Sequence, residues 1–179
     1  MKSNKIIYFI FLSISDILYD THPTPDHIFF YYLYESYNME NPNLKERLFE
    51  EIKQQKESKI NFVSLVSKLL DSQRQIHIFH LQTKSFAEHK ALQDYYDAIG
   101  DLVDGIVESY QGKYGIISGW KSFSTEEYQS TEQVIVYLKS LTNDITSVFN
   151  IIKDTYIQNQ LDEVTALINS TLYKLRFLK

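Results

Sequence analysis

Residues 76–108 read IHIFHLQTKSFAEHKALQDYYDAIGDLVDGIVE. Two helical patterns meet in this run, at a turn made of Thr83, Lys84 and Ser85. Ser85-Phe86-Ala87-Glu88 has the spacing of a capping box, in which the serine hydroxyl accepts from a first-turn amide and the glutamate reaches back. A helix is therefore predicted to start near Phe86, with Leu92, Tyr95, Ile99, Leu102, Ile106 and Tyr110 as its apolar stripe and an end near Gln111-Gly112. Asp97, Asp101, Asp104 and Glu108 follow one another at steps of three or four residues, so they share a face, on the side away from that stripe. Upstream, Phe62, Val66, Leu69, Gln73, Ile76 and His80 recur at helical spacing and predict a helix from about Ile60 to Thr83. His77 lies beside that stripe, while Lys68, Asp71 and Gln75 lie opposite it.

Outward from this hairpin the helical pattern continues in both directions. Leu44, Leu48 and Ile52 mark a shorter amphipathic helix from about Asn43 to Ser58. On the C-terminal side, Ser124-Thr125-Glu126-Glu127 reads as a second capping box. Val134, Leu138, Leu141, Ile145, Val148 and Ile152 then form a near-heptad stripe. After a break at Lys153–Thr155, Ile157, Leu161, Val164, Ile168, Leu172 and Leu175 form a last one. Four helices with one apolar stripe each are expected to bury those stripes in a four-helix bundle. The long connection, GKYGIISGWKSF from Gly112 to Phe123, holds three of the five glycines and the only tryptophan. Fully extended it reaches about 40 Å, enough to cross a bundle whose helices are about 37 Å long. A ferritin-like arrangement with one long crossover and a plain up-down-up-down bundle are both compatible with these lengths. The expected fold class is all-α, with a bundle domain over 59–179 and an aromatic-rich N-terminal extension with short helices over 1–58.

Composition narrows the functional classes. A chain of 179 residues can bury a core without covalent staples, and the absence of cysteine removes disulfides, thiolate zinc sites and thiol catalysis. The net charge of −5 and the small basic cluster Lys174, Arg176 and Lys179 argue against nucleic-acid and anionic-membrane partners. The first 38 residues carry ten of the aromatic side chains. Their opening, MKSNKIIYFIFLSISD, has a weak secretory pattern without a small-x-small cleavage site, and its apolar run is too short to span a membrane, so secretion is not expected. Thr24-Pro25-Asp26 predicts a short helix or strand over about 25–37. The composition shift also admits Met39 as a natural start.

The chemistry-bearing residues gather in the opening run. Imidazoles of His77, His80 and His89 beside a carboxylate row are donors suited to iron, manganese or zinc. The plain alternative is that the carboxylates are a solvated helix face opposite an apolar stripe. His22 and His27 have no evident partner. A phosphate-binding glycine loop, an H-E-x-x-H helix and paired Glu-x-x-His helices are all absent.

The segment HIFHLQTKSFAEH followed by DGIVE resembles the Dps branch of ferritin-like proteins, the miniferritins, with a divergent and phage-encoded member as the expected kind. The matching positions are His77, Phe86, His89, Asp104 and Glu108. The resemblance implies the ferritin-like bundle with one crossover. It also implies an iron site between subunits of a homo-oligomer, up to a dodecamer, in which His77 and His89 of one copy face Asp104 and Glu108 of another. Oxidation and storage of iron(II), a ferroxidase activity, would follow. His80, Gln93, Asp94, Asp97 and Asp101 are the expected supporting residues or iron path. Ile78 in place of tryptophan, no glycine before His89, and Gln93 in place of an acidic ligand are departures from the family pattern. The implied location is the cytoplasm, of the host cell for a phage gene. The alternative is a metal-free helical bundle of the same ancestry with a structural or interaction role, a virion component included.

Overall fold

The computed structural model describes residues 42–178, and these form four helices and no strand. We label them α1 (Pro42–Gln82), α2 (Phe86–Tyr114), α3 (Thr131–Phe149) and α4 (Thr155–Phe177). The expectations for the region before Pro42, including the short element over 25–37 and the surroundings of His22 and His27, lie outside the described residues. The chain divides after Phe49 into two units. The second unit, Glu50–Lys179, contains all four apolar stripes of the bundle.

Helix α1 is a single helix of 41 residues, where the sequence suggested two separated near Ser58. The junction Glu57-Ser58-Lys59-Ile60 contains no glycine or proline, so nothing in it stops backbone hydrogen bonding from continuing. Its exposed and half-buried polar side chains signal the loss of the apolar stripe and not the end of the helix. The stripes themselves are buried as expected, except that Gln73 of α1 and Leu102 of α2 are only half-buried. Phe62, Val66, Leu69 and Ile76 of α1, Leu92, Tyr95, Ile99 and Ile106 of α2, Val134 and Leu138 of α3, and Ile157, Leu161, Val164 and Ile168 of α4 all meet in one core.

Pairs of contacts establish the direction of each helix. Phe62 stacks on Tyr110 with ring centroids 3.8 Å apart, and Ser72 meets Tyr95 at 2.8 Å, so α1 and α2 are antiparallel. Lys68 pairs with Asp144 at 2.7 Å while Phe79 meets Tyr137, so α1 and α3 are antiparallel too. Helix α4 runs against α2, with Gln160 at Gly105 and Lys174 paired to Asp94 at 2.7 Å. Helices α2 and α3 therefore point the same way, and the chain between them has to travel the length of the bundle.

That connection, residues 115–130, is held along α1 in register. Lys121 N–H donates to Ser67 Oγ, Arg74 donates to the Phe123 carbonyl, and Gln75 exchanges two hydrogen bonds with the backbone of Glu126. Gln82 Oε1 accepts from Tyr128 N–H. Two expectations are corrected here. The helix does not begin at Ser124 but at Thr131, capped by Ser130, whose hydroxyl accepts from Gln133 N–H at 3.3 Å. The segment 130–133 has the same S-x-x-Gln/Glu form as the motif that predicts a start six residues earlier; Gln75 and Gln82 supply the backbone partners that would otherwise have come from a helix at 124–129. Gln75, placed opposite the stripe by periodicity, is only 2% exposed because the connection covers it.

At the other end of the bundle Asp154 precedes α4 but makes no side-chain cap. Its carboxylate instead takes Lys113 and Tyr114 from the end of α2. Among the described residues, no helix is long and apolar enough to cross a membrane.

Candidate functional site

The turn between α1 and α2 determines where the histidines sit. Ser85 Oγ accepts from Glu88 N–H at 3.3 Å, which is the serine half of the capping box. The glutamate half is diverted. Glu88 is buried, and its Oε2 accepts from Thr83, Tyr128 and Thr131 hydroxyls rather than from the backbone of Ser85. This ties the turn, the connection and α3 together at one carboxylate.

Across the turn, His80 and His89 form a reciprocal pair. His80 Nδ1 lies 2.8 Å from the His89 carbonyl, and His89 Nδ1 lies 3.0 Å from the His80 carbonyl. A carbonyl can only accept, so each Nδ1 carries the proton, and in the neutral rings each Nε2 keeps its lone pair. The rings stack at 3.6 Å with 24° between their planes. Each Nε2 lone pair lies in the plane of its own ring, and two stacked, near-parallel planes offer no nearby point at which both could meet one ion. His80 is buried, which makes it the ring that orients its neighbour, while His89 is half-buried. His77 is exposed and stacks on Tyr96 at 4.4 Å. Tyr96 also presents its edge to His80 at 5.0 Å. Periodicity did not single out Tyr96; its place one residue after the buried Tyr95, at the rim of the stripe, was the available signal.

The carboxylates divide into two kinds. Asp97, Asp101, Asp104 and Glu108 are all exposed on the outer face of α2. Asp94 is instead held by Lys174, and the Gln93 amide oxygen accepts from Lys90 at 2.7 Å. His89 and Asp104 are fifteen positions apart on one helix, about 22 Å at the helical rise. The structure therefore brings the three histidines together at one end of α2 and leaves the Asp104–Glu108 pair at the other. Among the described residues no three metal-ligating side chains come close enough to hold an ion.

No curated protein and no solved structure matches the chain. Residues 80–175, which begin at His80 and run through α2, the connection, α3 and nearly all of α4, match the model of a family described as a family of unknown function (DUF5856). That match covers more than half of the chain, and the protein belongs to this family.

Proposed function

We propose that the protein is a Dps-like miniferritin, in which iron(II) is bound and oxidised between copies of the chain in a homo-oligomer. The observation that carries this reading is the separation of the ligand set along the length of α2. His77 and His89 lie at one end of α2, Asp104 and Glu108 at the other, and no ion pair engages any of them among the described residues. A two-fold axis passing near the middle of α2 would lay one copy's histidines against the other copy's carboxylates and build two equivalent sites at once. Asp97 would then approach its own symmetry mate, a like-charge contact that a bound cation relieves.

Two further features support the reading. The long connection and the common direction of α2 and α3 are what a ferritin-like bundle with one crossover requires. The hydrogen bond from His89 Nδ1 to a carbonyl is the outer contact that a metal-binding imidazole uses to orient Nε2. Iron is the substrate here: the imidazoles and carboxylates hold it, and their mixed donor set suits both of its oxidation states.

Mixed assembly tests the reading directly. His89→Ala and Glu108→Ala chains should each lose iron(II) oxidation by peroxide. An oligomer assembled from both together should regain it, because pairing the two variants leaves one of the two sites intact. A solution mass equal to that of one chain, or oxidation unchanged in either single variant, would overturn the proposal. The other reading, a metal-free bundle with a structural role, predicts an oligomer that takes up no iron.

A further inference from the structure

Where α2 and α3 begin and α4 ends, a cavity of about 520 Å³ opens between the helices. Its charged lining residues are Glu88, Glu132 and Arg176, and its apolar ones Ile135, Leu175 and Leu178. Glu88 is 5% exposed, and while Oε2 accepts three hydroxyls, Oε1 is buried without any hydrogen-bond partner. A buried carboxylate oxygen without a donor is costly to maintain. No ion pair among the described residues engages Glu88, Glu132 or Arg176. Two carboxylates against one guanidinium leave the wall with one negative charge in excess.

We propose that this cavity binds a small primary amine, with its ammonium on Glu88 and Glu132 and its hydrocarbon stem against Ile135, Leu175 and Leu178. A divalent metal ion fits the same wall less well, because only two carboxylates are present, a guanidinium shares the space, and half of the lining is apolar. The volume lies in the range of small-molecule clefts, about 300–1,000 Å³. The last torsion of a glutamate is soft, so a small rotation turns Oε1 toward an incoming donor while Oε2 keeps its hydroxyls. The site is separate from the outer face of α2 and does not depend on iron binding.

Titration of the full chain with n-pentylamine hydrochloride, followed by amide and methyl NMR shifts, tests this. Saturable shifts are expected at Glu88, Thr131, Glu132 and Ile135. Pentan-1-ol, the neutral isostere, should bind at least about tenfold more weakly. Glu88→Gln should weaken the amine by at least about tenfold. Glu132→Gln and Arg176→Gln change exposed positions and leave the fold intact; the first should weaken binding and the second tighten it. Absence of shifts at these residues by about 10 mM amine, equal binding of the alcohol, or insensitivity to both Glu132→Gln and Arg176→Gln would each overturn the proposal and leave Oε1 to a water molecule.

Discussion

The path of the connection along α1 decides the direction of α3, and Gln75 is the residue through which to test it. Gln75 Nε2 donates to the Glu126 carbonyl at 2.8 Å, and its Oε1 accepts from the Glu126 N–H at 2.7 Å. Gln75→Met keeps the length and volume of the side chain and removes both bonds. Each such bond is worth about 0.5–1.5 kcal/mol net. The exposed position of Glu126 lets water recover part of the loss, so the expected destabilisation is about 1–2 kcal/mol. For a unit of this size that corresponds to a fall in Tm of about 3–7 °C. Urea melts read the free energy, and amide hydrogen exchange reads the site: the Glu126 amide should exchange faster, while core amides of α2 slow or accelerate only with global stability. A change below about 0.3 kcal/mol together with an unaltered Glu126 exchange rate would refute the reasoning. The connection would then not be held along α1 through Gln75.

Individual contacts lead to other expected outcomes. Ser72 gives its single hydroxyl hydrogen to the Leu69 carbonyl at 2.6 Å and so accepts from Tyr95 at 2.8 Å; Tyr95→Phe should cost about 1–2 kcal/mol in a urea melt. Burial holds the Tyr95 phenol well above its ordinary value, so the folded chain resists ionising it. Stability should therefore fall as pH rises past the unfolded tyrosine value of about 10, and the Phe variant should flatten that limb. The Asp154 carboxyl is held below the ordinary carboxylate value, first by its hydrogen bond from Lys113 and then by that from Tyr114. Its contribution is present above the unfolded carboxylate value and is lost as pH falls through the lowered one, so Asp154→Asn should flatten the acid limb of a stability–pH profile. A Cβ at Gly105 meets only Gln160 Nε2, at 3.7 Å, whereas one at Gly100 meets the Gln73 amide at 3.0 Å. Gly105→Ala should accordingly raise stability by about 0.5–1 kcal/mol, and Gly100→Ala should gain less, because Gln73 must give up its geometry on the Tyr96 carbonyl. Thermal melts of the two variants compare them directly.

Much of the candidate site was legible along the chain because helical periodicity is a local property. The outward placement of Asp97, Asp101, Asp104 and Glu108 and the burial of His80 follow from counting residues around a helix, and both hold in the structure. The reciprocal bonding of His80 and His89 was not legible, since it depends on how closely two helices pack at a three-residue turn. The role of Glu88 escapes the sequence for a related reason. As a capping residue its partner would be its own first turn, but Thr83, Tyr128 and Thr131, brought in from three other segments, compete successfully for the carboxylate. Along the chain Asp94 is a free neighbour of the ligand set, and it is Lys174, eighty positions away, that engages it.

Helical periodicity was enough to read the helical character of the described residues, the apolar stripes of the bundle helices and the outer acidic face of α2, because each depends only on which side chains recur at 3.6 residues per turn. Long-range contacts, which no local rule reaches, keep the chain from 115 to 130 extended along α1 and make α2 and α3 run in one direction. The course of 115–130 rests on side chains such as Gln75 and Gln82, which satisfy a distant backbone that local rules would have assigned to a helix.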